Sequence, residues 1–268
     1  MYKSFKKIIR DLLPPAVTRF LERQNSNAGY SGDYSSWEEA KRASTGYDTD
    51  IILNKVKDAL LKVKNGEAVY ERDSVLFDEI QYSWPLLAGL LWIASRDGNC
   101  LNLIDFGGSL GSSYFQNRAL LGHLDKLSWS VVEQKTFVDC GRELFEDNLL
   151  KFYHSLDDCI AERRPDTILL GSVIQYLGKP YDLLQEVIDR GFKYLIFDRT
   201  PFLEKGADRL TVQKIPAEIY EASYPAWFFD QEKFLRFFAP KYEMIASFES
   251  ADRANIPATF KGFIFRRR

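Results

Sequence analysis

The sequence predicts an α/β fold, with a mostly parallel sheet of seven strands behind an N-terminal helical extension. Three observations predict it. From about residue 100 onward, short apolar runs alternate with amphipathic segments, which is how strands and crossover helices read. The first apolar run leads directly into a glycine-rich turn, DFGGSLGS at 105–112, the position where doubly wound sheets bind ligands. Two further apolar runs close the chain with a polar stretch between them. The expected division is an extension over 1–97 and the sheet-bearing domain over 98–268.

The extension reads as helices joined by polar loops. Phe5, Ile8, Ile9, Leu12 and Leu13 recur at helical spacing opposite Lys3, Lys6, Lys7 and Arg10, and Pro14 and Pro15 end or kink that helix. Such a face over 1–23 either lies on an anionic membrane surface or packs on the body of the protein or a second subunit, and packing is preferred. It has no long apolar region and no small-residue cleavage site, so it does not read as a secretion signal. A glycine- and serine-rich loop at 25–36 precedes a short helix with Ser35 or Ser36 as cap and Glu38 and Glu39 in its first turn. Ile51, Ile52, Val56, Ala59, Leu60 and Val63 mark the next helix, closed by Asn65 and Gly66. A further helix is expected over about 74–95. Its run WPLLAGLLWIA at 84–94 stops at Ser95, Arg96 and Asp97, short of the roughly 20 residues of a membrane span. The expected location is the cytoplasm, with peripheral contact at the inner membrane only through 1–23.

In the second part, strands are predicted at 101–106, 129–132, 150–154, 167–172 and 194–198, with helices near 112–124, 135–147, 156–163 and 180–190. A long loop, a helix at about 230–239 and two strands, YEMIASFES (242–250) and ATFKGFIFRRR (258–268), follow. Asp252, Asn255 and Pro257 suit the hairpin-like turn between those strands.

Composition narrows the partners. Thirty-six basic against 38 acidic residues leave a net charge of -2, so no overall field draws the protein to nucleic acid. Cys100, Cys140 and Cys159 lie far apart, outside zinc or redox spacings, and no compact histidine and carboxylate cluster suggests a metal.

The turn after the first strand carries the chemistry. Gly107, Gly108 and Gly111 permit dihedrals and close approaches that a side chain would block, with Ser109 between them. Ser112 or Ser113 can cap the following helix, whose first amides favour a carboxylate or phosphate. The second strand ends at Glu133 and Gln134, where a carboxylate can accept hydrogen bonds from both ribose hydroxyls of an adenosine. The bland reading beside this one has Asp105 capping a turn and Glu133 as a solvated strand end. A nicotinamide dinucleotide fingerprint would require glycines at 107, 109 and 112, and 109 and 112 are serines.

The turn resembles the acidic-x-Gly-x-Gly-x-Gly motif of S-adenosylmethionine-dependent methyltransferases, with Asp105 as the acid, Gly107 and Gly111 as outer glycines and Ser109 in the middle position. Five strand–helix units, a helix and a terminal hairpin also resemble the Rossmann-like class I methyltransferase layout, whose last strand runs antiparallel between the fifth and sixth. SSWEEAKRASTGYDTDIILNKV, YERDSVLFDEIQYSWPLLAGL, DFGGSLGSSY, SVIQYL and YPAWFF together are similar to a family of bacterial methyltransferases whose genes lie in surface-polysaccharide clusters. The resemblance implies S-adenosylmethionine as cofactor, S-adenosylhomocysteine as product, and O-methylation of a sugar or sugar nucleotide in O-antigen or capsule assembly. It also implies that His154, Ser155 and Leu156 approach the adenine, and that Ser172, Val173, Gln175 and Tyr176 lie near the methionine part. Asp157 either joins the adenine loop or, with Asp158, merely begins the next helix; Tyr176 and Leu177 fit the core equally well.

A sugar hydroxyl must lose a proton on methylation, so a base is expected. His154 falls on the adenine side and His123 near a distant helix end. Asp198, followed by Arg199 and Thr200 at the sheet's carboxyl edge, is better placed, and a structural pair with Arg199 is an equal reading. Among Tyr220, Tyr224, Trp227, Phe228 and Phe229, core packing is preferred for the two phenylalanines and stands level with substrate contact for Tyr224 and Trp227. Trp37, Tyr47, Tyr70, Arg72 and Asp73 of the extension are expected to cover the site. A rival reading is a non-catalytic Rossmann-like module that binds a nucleoside or glycan within a polysaccharide assembly complex; another is an adenosine-binding enzyme of different chemistry.

Overall fold

A strand that is apolar at successive positions is buried on both faces, and the central sheet is built from such strands. The computed structural model describes residues 29–46, 49–216 and 222–268. The amphipathic segment at 1–23, Tyr47 and Tyr220 lie outside the described residues. In chain order come β1 (Gly29–Ser31), α1 (Trp37–Arg42), α2 (Thr49–Lys64), β2 (Tyr70–Arg72), β3 (Val75–Phe77) and α3 (Trp84–Arg96). The next units are β4 (Cys100–Phe106), α4 (Ser112–Leu121), β5 (Lys126–Val132), α5 (Lys135–Leu144), β6 (Leu150–Tyr153), α6 (Leu156–Arg163), β7 (Thr167–Gly171) and a 3₁₀ turn (Ile174–Tyr176). The remainder is α7 (Pro180–Arg190), β8 (Tyr194–Leu203), β9 (Arg209–Lys214), β10 (Ser223–Phe228), α8 (Gln231–Phe238), β11 (Tyr242–Glu249) and β12 (Ala258–Arg267).

The main sheet has the order β11-β12-β8-β7-β4-β5-β6. Strands β4 to β8 pair in parallel, and β12 runs antiparallel to both β8 and β11. This is the expected seven-stranded, mostly parallel Rossmann-like sheet with a reversed last strand. Its neighbouring residues face opposite ways into two cores. Leu103, Trp129, Val131, Leu169 and Ile196 pack with α2 and α3 on one face. Ile104, Val132, Ile168, Leu170 and Phe197 pack with α7 and α8 on the other.

Three predicted stretches differ. The helix expected over 74–95 is instead the β2–β3 hairpin followed by α3, which starts ten residues later at Trp84 with Pro85 in its first turn. The hairpin turns on Asp73 and Ser74, both at positive φ (51° and 68°), which gives the two-residue turn whose twist matches paired strands. The loop predicted at 25–36 contains β1, and the long loop after 198 is taken up by the extension of β8 and by β9 and β10. These form a second sheet, β1-β9-β10, in which a strand of the extension pairs with an insertion nearly two hundred residues later. Strands β1, β2 and β3 have three residues each, too few to show a period, so their pairing partners decide them.

Candidate active site

The strand order reverses between β4 and β7, and a cavity of about 1440 Å³ opens at the carboxyl ends of the strands there. Its walls bring together Arg72, Asp105, Gly107, Gly108, Ser109, Glu133, Gln134, Ser172, Val173, Tyr176, Asp198, Arg199 and Tyr224 of the sequence-predicted residues. Trp37, Tyr70, Asp73 and His154 line it as well.

The glycine turn is held by its neighbours. The Gly107 N–H donates to the Val132 carbonyl at 2.9 Å, which pins the turn to the end of β5. A Cβ on Gly107 (φ 71°) would collide with Val173, and one on Gly108 would lie 2.5 Å from the Asp105 carboxyl carbon. Asp105 is therefore folded beneath the turn, where the Trp129 indole N–H donates to it at 3.1 Å. Burial pushes its carboxyl up to about 7. Gly111 (φ 93°) opens α4 without lining the cavity.

Left-handed backbone recurs along this edge. Ser109 (φ 54°), Ser172 (φ 54°) and Arg199 (φ 56°) follow β4, follow β7 and sit within β8, and non-glycine residues adopt this conformation at a cost. Glu133, half-buried at the end of β5, receives the Gln134 N–H at 2.5 Å, and burial raises its carboxyl above the ordinary range.

From the loop after β6 only His154 reaches the cavity. Ser155 caps α6, accepting the Asp158 N–H at 3.1 Å, and Leu156 is buried in the core. Asp157 pairs with Arg190 at 2.7 Å, so the two aspartates belong to the helix start. His123 is exposed, and its carbonyl accepts from Asn99 at the foot of the sheet. Trp227 donates its indole N–H to the Leu177 carbonyl at 3.1 Å and is not among the lining residues, while Phe228 and Phe229 are fully buried.

Asp198 is 3% exposed and accepts from Ser250 Oγ at 2.9 Å; burial raises its carboxyl above the ordinary value. The alternative reading, a direct pair with Arg199, is not formed. The Arg199 guanidinium turns instead to Asp252, at 3.1 Å from both Nε and Nη2, and to Asp73, at 2.8 Å from Nη2. Asp73 sits at the hairpin tip, so the extension reaches over the cavity. Next to it Glu71, 1% exposed, accepts from Ser112 Oγ in the first turn of α4 and from the Ser74 N–H at 3.1 Å.

Sequence reasoning missed Tyr30, Glu71, Gln213, Ser250 and Asp252 as site-forming groups. Asp252 was visible only as a turn residue, and nothing local marks Tyr30. Among the described residues no three His, Cys, Asp or Glu side chains are grouped to hold a metal ion, and no helix is long and apolar enough to cross a membrane.

Fold and cavity define a Rossmann-like α/β protein with a cavity at the carboxyl edge of its sheet. No family model and no curated protein sequence matches the chain. Solved structures with a similar backbone include the N-terminal domain of EvdMO1 in the presence of S-adenosylhomocysteine and D-fucose, at 12% identity and TM-score 0.49 over 83% of this chain and 98% of that one. Another is the Synechocystis magnesium protoporphyrin IX methyltransferase with bound S-adenosylmethionine, at 11% identity and TM-score 0.46 over 84% and 99%. A third is the Burkholderia thailandensis 1,6-didemethyltoxoflavin-N1-methyltransferase, at 12% identity and TM-score 0.46 over 89% and 93%.

Proposed function

We propose that this chain is an S-adenosylmethionine-dependent methyltransferase that O-methylates a sugar during surface-polysaccharide assembly in the cytoplasm. The observation that carries the reading is the cavity at the β4/β7 reversal, with the glycine turn on one side and the Glu133 carboxylate at the next strand end. These residues fit the cofactor. The turn at 107–109 and the first amides of α4 suit the methionine end, Glu133 suits the ribose, and Gln134 and His154 flank the adenine side. The described part of the extension, 29–46 and 49–97, acts as cover and acceptor wall for the domain at 98–268.

S-adenosylmethionine bound there supplies an electrophilic methyl on a sulfonium: transfer breaks the S–CH₃ bond, forms an O–CH₃ bond, leaves neutral S-adenosylhomocysteine and frees the acceptor proton. Asp198 is the residue assigned to take that proton. It lines the cavity, the Arg199 hydrogen bonds go to Asp73 and Asp252, and burial raises its carboxyl, which matches it better to a hydroxyl proton than an ordinary aspartate. Arg199, locked between two carboxylates, orients the edge instead of contacting the reacting atoms. Tyr176 and Tyr224, edge-on at 5.3 Å, and Arg72 form the acceptor wall.

Calorimetry with S-adenosylmethionine and S-adenosylhomocysteine tests the reading. Micromolar binding of both is expected; a folded sample that binds neither removes it. Methyl transfer to a sugar nucleotide or oligosaccharide separates the enzyme from a binding module.

A further inference from the structure

The acceptor half of the cavity holds a row of polar side chains built across the second sheet. In the second sheet Tyr30 of β1 and Tyr224 of β10 are both paired with Gln213 of β9, so the three stand in one cross-strand row. Strand neighbours in such a row project to the same face. Tyr176, from the 3₁₀ turn after β7, meets the row: its hydroxyl donates to Gln213 Oε1 at 2.8 Å, its ring packs edge-on against Tyr224, and its oxygen interacts with the Tyr30 hydroxyl.

Tyr30 is held from three sides. Asn255 accepts its N–H at 2.7 Å and donates to its carbonyl at 2.9 Å, and its ring stands edge-on to Phe228 at 4.8 Å. Tyr30, Tyr176, Gln213, Tyr224 and Asn255 all line the cavity.

We propose that the paired hydroxyls of Tyr30 and Tyr176 recognise a hydroxyl of the acceptor, in a subsite that takes an uncharged polyhydroxylated ring and rejects a carboxylated one. This rests on the acceptor side of the function proposed above. Tyr176 commits its only proton to Gln213, leaving oxygen lone pairs that accept, while the Tyr30 proton can rotate to donate. An alcohol, which both donates and accepts, satisfies the pair; a ketone or ammonium group satisfies half of it. Burial pushes Tyr30 up to about 12 and Tyr176 well above its ordinary value, so both stay neutral and recognise without deprotonating. Arg199, the cation whose charge reaches Tyr30, is already held by Asp252 and Asp73 and so offers no free partner to an anionic ring.

Saturation-transfer NMR with the methyl glycosides of mannose, rhamnose and fucose, and with methyl glucuronoside, tests this on wild type, Tyr30→Phe and Tyr176→Phe, with and without S-adenosylhomocysteine. At least one neutral glycoside should bind more tightly than the glucuronoside. Each Phe variant should weaken it about fivefold, the loss of one net hydrogen bond, while S-adenosylhomocysteine affinity stays within about twofold by the same measure. Unchanged glycoside binding in both variants, preference for the glucuronoside, or no glycoside binding at all overturns the proposal. If S-adenosylhomocysteine fails to bind yet the glycoside losses appear, the cofactor assignment falls and the subsite stands.

Discussion

Asp73 accepts a hydrogen bond from Arg199 Nη2 at 2.8 Å across 126 residues of sequence, tying the tip of the β2–β3 hairpin to the carboxyl edge of β8. Two residues earlier, Glu71 is bonded to Ser112 at the start of α4, so the hairpin is fastened both to β8 and to the helix that follows the glycine turn. A short hairpin of this kind is marginal alone, and these two ties are what hold it over the cavity.

The two carboxylates on Arg199 should differ in weight. Asp73 is 64% exposed at its side chain, whereas Asp252 is 23% exposed and receives two of the guanidinium bonds. Asp252→Asn is expected to destabilise by about 1–3 kcal/mol and Asp73→Asn by less than about 1 kcal/mol. Urea melts of both variants check this, and the reverse order would mean that the hairpin tip is the main anchor.

Glu133 sets the cofactor affinity if it holds the ribose. Glu133→Ala should weaken S-adenosylhomocysteine binding about tenfold or more, the loss of charge-assisted hydrogen bonds worth about 1.5–3 kcal/mol. Because burial raises its carboxyl, affinity should climb as pH rises through that raised value and then level off. A flat titration by calorimetry would place the ribose elsewhere.

Glu71 makes stability depend on pH. Burial pushes its carboxyl up to about 7 from an ordinary 4.5, so the folded state binds the proton more tightly than the unfolded chain. Its contribution is complete below about 4.5 and is lost as pH rises through about 7, at up to about 1.4 kcal/mol per pH unit. Asp105 adds to the same slope. Glu71→Gln should flatten the loss of melting temperature between pH 5 and 8; a slope identical to that of wild type would show that Glu71 does not titrate there.

Ser109 occupies a left-handed backbone, a conformation that favours glycine. Ser109→Gly should be more stable than Ser109→Ala by about 1 kcal/mol, since alanine keeps the Cβ penalty. Paired thermal melts measure the difference, and equal stabilities would imply that the turn relaxes in the variants.

Asp198→Asn separates chemistry from binding. Turnover should fall by about 10²–10⁴ while S-adenosylhomocysteine affinity is kept. Retained turnover would remove Asp198 as the base and leave it as the Ser250 partner alone.

Much of the central sheet was legible because parallel strands covered on both sides are continuous apolar runs; β4 through β8 each begin within three residues of where those runs start. Helices α6 and α7 fall on the predicted 156–163 and 180–190, and the structure supplies their ends: Ser155 caps α6, while Pro180 opens and Gly191 closes α7. The terminal hairpin followed from the same patterning. Illegible were β1, β2, β3, β9 and β10, which are either three residues long or interrupted by polar residues or proline, so none forms the continuous apolar run that marks the buried parallel strands.

By itself the sequence determined the sheet, the glycine turn and the position of Glu133, because these follow from local rules: apolar runs, residues that tolerate unusual backbone, and strand ends. Only the tertiary structure decided the other half of the cavity. Tyr30, Asp73, Tyr176, Arg199 and Asp252 come from five separate segments, and their chemistry exists only once the second sheet and the hairpin are docked. Arg199 shows the reason. Next to Asp198 in the chain, it turns away at positive φ and spends its charge on two carboxylates from distant loops, a choice set by folded neighbours and invisible to spacing.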